Sequence, residues 1–314
     1  MSRSVIQRDE LVGALLDFGS TAVDLSEYAT SGLRIVTVGP SGIGKTNAGL
    51  LIAEQLAEQG WICVLIDPEG EIASMYGEAV ASAGDLRECL QKRDRPFIVV
   101  SAADASEFIP YGRAILEAAD KYRKPIFLMI DEGQVFSAPK KRKGDIGEAA
   151  DIVNQFAERG RKRAVDLFLT ATRFTGSLHR SIFSNKNLSL IGCQEDPTAW
   201  ASLAPQFRSS KIEFNDLAAL ATGEFFCFSR RGVEKIRMPM AEALQRVAPK
   251  AKSIRPRLPS TFSQWDRAMR EMPSPRLRAL TDPVVSLLGA VAGLSPQQML
   301  SGQRALQDEL EARK

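Results

Sequence analysis

A chain of 314 residues that is 44% hydrophobic and 25% charged has the make-up of a large α/β domain with an appendage, or of two modest domains. That composition excludes disorder, collagen and coiled coil as descriptions of the whole. The net charge of +3 hides an asymmetry: residues 1–130 hold 12 basic and 18 acidic side chains and the remainder 29 and 20, so a basic second half faces either a polyanionic partner or plain solvent.

In chain order, apolar runs of strand length alternate with helix-like segments across residues 33–240. The strand candidates are Leu33–Val38, Trp61–Ile66, Pro96–Ser101, Ile126–Ile130, Leu167–Thr172 and Leu188–Cys193. Most are continuous Val/Ile/Leu/Phe runs, as expected of strands buried on both faces. Between them, Ile146, Ala149, Ala150, Val153, Phe156 and Ala157 recur at helical spacing. The alternation predicts βαβ units with right-handed crossovers and a mostly parallel sheet covered by helices on both faces. Glu224–Phe228 and Val233–Met238, joined by Ser229-Arg230-Arg231-Gly232, predict a terminal β-hairpin. Past residue 246 the character changes. Residues 246–261 are rich in proline and basic side chains and read as a linker. Residues 262–314 read as a helical tail, with Ser295-Pro296 a good start for its last helix. The domain division is therefore 1–245, 246–261 and 262–314.

Several site types are excluded. No stretch reaches the ~18 apolar residues of a membrane span, and the N-terminal MSRSVIQRDELVG lacks the apolar centre of a secretory signal. Cys63, Cys89, Cys193 and Cys227 are scattered and read as thiols of a reducing compartment, so a cytoplasmic protein is expected. The single histidine, His179, excludes a multi-histidine metal centre and reads as a polar helix-surface residue.

The chemistry is carried by Gly39-Pro40-Ser41-Gly42-Ile43-Gly44-Lys45-Thr46, which matches GxxxxGK[ST] at every fixed position. A strand precedes it and an amphipathic helix, Thr46–Glu58, follows. The glycines allow the tight backbone that turns N–H groups toward a β-phosphate, and the helix N-terminus adds positive partial charge. Lys45 supplies charge for the β- and γ-phosphates, the Thr46 hydroxyl is a Mg²⁺ ligand, and Asn47 continues the phosphate contact. Next, the apolar strand Ile126–Ile130 ends in Asp131-Glu132, putting Asp131 at the carboxyl end beside the phosphate loop. Asp131 is the second metal residue, and Glu132 the group that polarises attacking water. A nucleoside triphosphate, ATP, and Mg²⁺ are the expected cofactors, and hydrolysis is favoured over mere binding.

Three further segments narrow the reading. Asp67-Pro68-Glu69-Gly70-Glu71 resembles the D-P-x-G-E signature of HerA-type ATPases and conjugative coupling proteins. Asp131-Glu132-Gly133-Gln134 resembles their D-E-[AG]-Q ending. Arg159-Gly160-Arg161-Lys162-Arg163-Ala164-Val165, running into Leu167–Arg173, resembles their G-R-x-x-G…T-Q-R segment, and Gly223-Glu224 a late G-E step. Together these resemble the HerA/FtsK superfamily of hexameric DNA-pumping ATPases over residues 25–240. The resemblance implies a three-layer P-loop NTPase fold of the RecA-like type. It also implies that Arg161, with Arg163 as second choice, reaches the neighbouring subunit's γ-phosphate; the alternative is a basic helix end facing its own dipole. Thr172 stands where the family has a sensor glutamine, and Phe174 where it often has proline. Asp67 and Glu71 are open between ordering metal-bound water, receiving a neighbour's basic residue, and ending a strand in an acidic turn. Only about 30 residues precede the first core strand, so a minimal motor without the N-terminal barrel is expected, similar to viral genome-packaging members.

Lys140-Lys141-Arg142-Lys143 forms a basic run in the loop after Asp131-Glu132. In a ring it would meet DNA phosphates without reading bases; otherwise it is a solvated loop. No groove-reading or RNA-binding motif is present. The leading expectation is a ring-forming homo-oligomer, a hexamer by resemblance, that moves double-stranded DNA without sequence preference. The main alternative is a nucleotide-driven switch recruiting a protein partner through its C-terminal tail. A P-loop kinase is a third reading, disfavoured by the Asp-Glu ending.

Overall fold

The computed structural model describes residues 14–247, apart from 139, 141, 175–177 and 209, and at Arg161 the backbone alone. The expected linker and helical tail therefore lie outside the described residues, except for Arg246 and Val247.

A short antiparallel hairpin, β1 (Leu15–Asp17) and β2 (Ala22–Asp24), comes first. Two three-residue strands carry too few positions for a period to register. The main sheet has eight strands: β3 (Arg34–Val38), β4 (Ile62–Asp67), β5 (Phe97–Ser101), β6 (Ile126–Ile130), β7 (Val165–Ala171), β8 (Leu188–Ile191), β9 (Glu224–Ser229) and β10 (Gly232–Arg237). They lie in the order β10-β9-β8-β3-β7-β6-β4-β5. The six strands from β3 to β8 are mutually parallel, and β9 and β10 add an antiparallel edge. All six expected parallel strands and the hairpin are present, each within two residues of its expected bounds. β4, β6 and β7 are buried along their whole length, which explains their unbroken apolar runs.

The helices are α1 (Lys45–Glu58), α2 (Ala73–Tyr76), α3 (Ala83–Lys92), α4 (Ala105–Tyr122), α5 (Asp145–Arg159), α6 (Arg180–Asn185), α7 (Pro197–Phe207), α8 (Phe214–Ala218) and α9 (Glu242–Val247). Local chemistry fixes their ends. Asp104 caps α4 by accepting from the Glu107 N–H, and Arg123 closes it in the left-handed conformation. Asp196 caps α7, whose first residue is Pro197. The crossover through α1 moves along the sheet in one direction, from β3 to β4. Those through α4, α5 and α6 move in the other. Right-handed connection therefore puts α1 on one face and α4–α6 on the opposite face. Gly49 on α1 sits so close to the sheet that a Cβ there would be 2.7 Å from Met129 and Phe168.

One feature of the strand order shapes the site. β7 lies between β3, which feeds the phosphate loop, and β6, which ends at Asp131. At the opposite, amino-terminal edge, the one charged residue within β7 is structural: Asp166 accepts from the Leu33 N–H at 2.8 Å and the Trp61 indole N–H at 2.9 Å.

Candidate functional site

The carboxyl edge of the sheet gathers the loops after β3, β4 and β6 around a cleft of about 610 Å³. Ser41, Gly42, Gly44, Lys45, Thr46 and Asn47 form one wall, and Asp67, Glu69, Glu71, Ile72, Asp131 and Glu132 line the rest with Leu244 of α9.

The loop after β3 is shaped by Gly42 and Gly44, at φ +80° and +100°, where an L side chain would be strained. Gly44 caps α1, and the Ala48 N–H is the first to bond back, to the Gly44 carbonyl. The N–H groups of Lys45, Thr46 and Asn47 therefore have no intrahelical acceptor and face an anion site. The loop is braced from behind: the Gly223 N–H donates to the Ile43 carbonyl at 2.9 Å. That contact gives the late Gly223-Glu224 step a job, because its backbone backs the phosphate loop.

Lys45 is almost fully buried, and its ammonium donates to the Pro40 carbonyl at 3.0 Å with the Glu132 carboxylate 4.0 Å away. Burial pulls its pKa below the ordinary lysine range, and the Glu132 and Asp131 charges oppose that pull. Thr46 Oγ1 donates to Asp131 Oδ2 at 2.7 Å. Adjacent oxygens of an octahedral Mg²⁺ with bonds of about 2.0–2.1 Å lie about 2.9 Å apart, so this oxygen pair fits that ion. Among the described residues there is no cluster of three or more His, Cys, Asp or Glu side chains able to hold a metal. A Mg²⁺ here would thus rest on Thr46, Asp131, phosphate oxygens and water.

Thr170 of β7 was not anticipated. Register pairs Ile130 with Leu169, which sets Thr170 beside Asp131. Its hydroxyl donates to Asp131 Oδ1 at 2.6 Å and accepts from the Glu132 N–H at 2.8 Å. Both oxygens of Asp131 are thereby oriented by hydroxyls, one from each neighbouring wall. Thr172, expected at the sensor position, is half-buried just past the end of β7. The sequence did carry a signal, since Thr170 is the single hydroxyl inside the apolar run Leu167–Ala171.

Glu132 adopts the left-handed conformation at φ +46° and ψ +49°. A non-glycine residue held there stores strain of order 1–3 kcal/mol, a pattern that clusters at functional sites. The turn is held by the Asp131 and Thr170 bonds to its N–H and by Gln134, whose amide donates to Glu132 Oε2. It sends consecutive acids in different directions, one toward Thr46 and the other toward Lys45. Gly133 fits beneath it because a Cβ would meet Leu169 Cδ2 and the Thr170 carbonyl at 2.9 Å.

Other expected residues fall differently. The Asn47 amide is committed within the chain, donating to the Pro239 carbonyl at 2.9 Å and accepting from the Ala241 N–H at 2.8 Å, so only its N–H faces the anion site. Asp67 is buried and accepts from the Gly70 and Ile72 N–H groups at 3.0 and 2.7 Å, which is the strand-ending turn. Glu71 is exposed at the rim of the cleft. Residues Gly160–Arg163 form a 3₁₀ turn at the amino-terminal edge of the sheet. The seven residues of β7, at about 3.3 Å each, put ~20 Å between that turn and Thr170, beyond an arginine's reach. Neither Arg161 nor Arg163 can serve its own subunit's cleft. Arg163 is moreover engaged by Asp120 of α4 at 2.6 Å. His179 caps α6 through Nδ1, accepting from the Ser181 N–H at 3.3 Å. Phe174 is buried against Phe183. Lys140, Arg142 and Lys143 are exposed, and Lys140 and Arg142 line a second depression of about 570 Å³ with Arg159 and His179.

No protein-family model matches the chain, and no curated protein sequence does. Solved structures do. The genome packaging NTPase B204 of Sulfolobus turreted icosahedral virus 2, in complex with ATP-gammaS, aligns with a TM-score of 0.53 at 16% identity, over 67% of this chain and 99% of that one. The same NTPase in complex with sulfate gives 0.51 at 18% identity, over 67% and 98%. B204 of Sulfolobus turreted icosahedral virus, described as a DNA-packaging ATPase, gives 0.53 at 14% identity, over 67% and 99%. At such identities the likeness is one of architecture: it shows that this chain has the α/β fold of those NTPases, a mostly parallel sheet with its phosphate loop after β3.

Proposed function

We propose that this protein is a Mg²⁺-dependent ATPase that works as a ring-shaped homo-oligomer, six-membered by resemblance, and translocates or packages double-stranded DNA. The observation that carries the enzymatic part is the joined set at one cleft: free N–H groups and Lys45 for phosphates, the Thr46–Asp131 oxygen pair for metal, and Glu132 turned away from that pair. When bound, Mg²⁺ supplies charge neutralisation on the phosphates. The chain's own groups do the rest. Lys45 and the loop hold the β- and γ-phosphates, Thr170 fixes Asp131, and Glu132 takes the proton of the attacking water while Gln134 holds its carboxylate. The ~20 Å between the Arg161 turn and the cleft supports action in trans, at a neighbour's γ-phosphate, where an arginine is worth about 10³–10⁵ in rate. The exposed Lys140, Arg142 and Lys143 would meet DNA phosphates without reading bases. That B204 is described as a genome-packaging NTPase supports the DNA reading. The four scattered cysteines support work in the reducing cytoplasm; among the described residues no helix is long and apolar enough to cross a membrane.

Phosphate release, with and without double-stranded DNA over a salt series and beside Glu132→Gln, tests this. Stimulation by DNA that fades with salt and vanishes in Glu132→Gln is the expected result. Turnover that depends on Glu132 but ignores DNA at every salt would refute the DNA motor. One observation favours a second reading, a nucleotide-dependent switch that recruits a protein through the C-terminal tail: the segment leading toward that tail is fastened to Asn47, next to Thr46. ATP-dependent capture of a partner by wild-type chain, lost on truncation at residue 247, would support it.

A further inference from the structure

The phosphate end of the cleft is specified in detail, whereas the sequence motifs say nothing of what meets the base. The lining of the cleft does. Beyond the loop residues, all but two of its side chains are acidic: the exceptions are Ile72, which is fully buried, and Leu244 of α9, which is half-buried. Leu244 comes from a part of the chain almost two hundred residues from the phosphate loop, yet it is fixed beside it by an extensive set of bonds. The Asn47 carboxamide uses both its ends on the strap 239–241, at 2.9 Å to the Pro239 carbonyl and 2.8 Å from the Ala241 N–H. About two and a half turns along α1 from its start, Glu54 accepts from the first N–H groups of α9, Glu242 at 2.7 Å and Ala243 at 2.9 Å, and from the Tyr76 hydroxyl at 2.7 Å. Ile72 is held from below by Asp67, whose carboxylate takes its N–H at 2.7 Å.

We infer that Leu244 is a base-contacting residue of the site and that Asn47 and Glu54 are positioning residues for the wall that carries it. This deepens the nucleotide reading and rests on it. Lys45, Thr46 and Asp131 fix the β- and γ-phosphate end, and Glu132 lies past it. A nucleoside must leave at the other end, along Asn47, which is where the strap crosses. A planar base gains from contact with an aliphatic side chain through dispersion and apolar burial. Such a side chain touches the face of a ring and not its hydrogen-bonding edge. Leu244 therefore favours larger bases over smaller ones without itself telling adenine from guanine.

The test compares ATP with inorganic tripolyphosphate, which carries the same phosphate chain and no base, on wild type, Leu244→Ala and Leu244→Met. Binding is followed by titration calorimetry, with thermal melting as a check on folding. The expected result is that Leu244→Ala weakens ATP and GTP alike by about 5- to 30-fold, the loss of one half-exposed aliphatic contact, while tripolyphosphate binding stays within twofold. Leu244→Met, which keeps an apolar contact, should stay near wild type. Unchanged ATP affinity in Leu244→Ala would overturn the inference, and so would an equal loss for ATP and tripolyphosphate, because Leu244 would then only be propping the loop. Wild type that binds neither probe would instead refute the nucleotide reading, and the inference with it.

Discussion

Thr170 offers the most direct test of how the site is built. Thr170→Val keeps the shape of the side chain and removes only the hydroxyl. Two bonds go with it: the donation to Asp131 Oδ1 at 2.6 Å and the acceptance from the Glu132 N–H at 2.8 Å. The first is a fully buried bond to a carboxylate, worth about 1.5–3 kcal/mol. The second is partly replaceable, since the Glu132 N–H keeps Asp131 Oδ1 at 3.2 Å. In a domain of this size each kcal/mol moves the melting point by about 2–4 °C, so the variant should melt roughly 3–12 °C lower. Turnover should fall further than stability suggests. Thr170 fixes the metal residue and the strained turn of Glu132 together, and displacement of a catalytic group by about 1 Å costs on the order of 10²-fold. Differential scanning calorimetry and phosphate release against Mg²⁺ concentration read the two effects. Thr170→Ser should recover most of both. If Thr170→Val were indistinguishable from wild type, the assignment of the fixing hydroxyl would be wrong.

Glu132→Gln should retain ATP binding within a few-fold and lose turnover by at least about 10²-fold, read by calorimetry beside phosphate release. Arg161→Ala and Arg163→Ala should separate. The first should abolish turnover with nucleotide binding intact, and mixing it with a Glu132→Gln chain should partly restore rate, because each supplies what the other lacks across an interface. The second should cost mainly stability, about 1 kcal/mol, through loss of its half-exposed pair with Asp120. Asp166→Ala should lower stability by about 2–6 kcal/mol, since it strands two buried donors, Leu33 N–H and the Trp61 indole. It sits a full strand length from the cleft, so the fraction that stays folded should bind ATP as wild type does.

The parallel sheet was legible because continuous apolar runs such as Ile126–Ile130 and Trp61–Ile66 have few other uses at that length. Its strand order was not. Nothing in a single run says that β7 inserts between β3 and β6, and that insertion is what brings Thr170 to Asp131. Motifs showed residues that line the cleft, since Gly44, Lys45, Thr46, Asp131 and Glu132 are defined by local spacing. Side chains that act across long separations had no such spacing to give them away. Asn47 reaches residues 239 and 241, Thr170 reaches Asp131, and Leu244 reaches a cleft whose loop begins at Gly39. Register and packing make those pairs, and they follow only from the assembled sheet.

On the proposed mechanism one copy of the chain is catalytically incomplete, and the sheet gives the reason. Its carboxyl edge holds the phosphate loop, the Thr46–Asp131 oxygen pair and Glu132, with Lys45 in the cleft; the side chains lining the remainder include Asp67, Glu69 and Glu71. A transferring phosphoryl group adds negative charge to a place already rich in it, and one buried lysine with a divalent ion leaves that charge under-compensated. The amino edge carries the basic side chains Arg159, Lys162 and Arg163, about 20 Å away. A head-to-tail contact between copies brings one edge to the other, and such a heterologous arrangement closes into a ring or runs on as a filament. Turnover per subunit should then rise steeply with protein concentration and flatten once assembly is complete, with sedimentation following the same midpoint. Turnover per subunit that is constant down to concentrations where only monomer sediments would show that the cleft needs no neighbour.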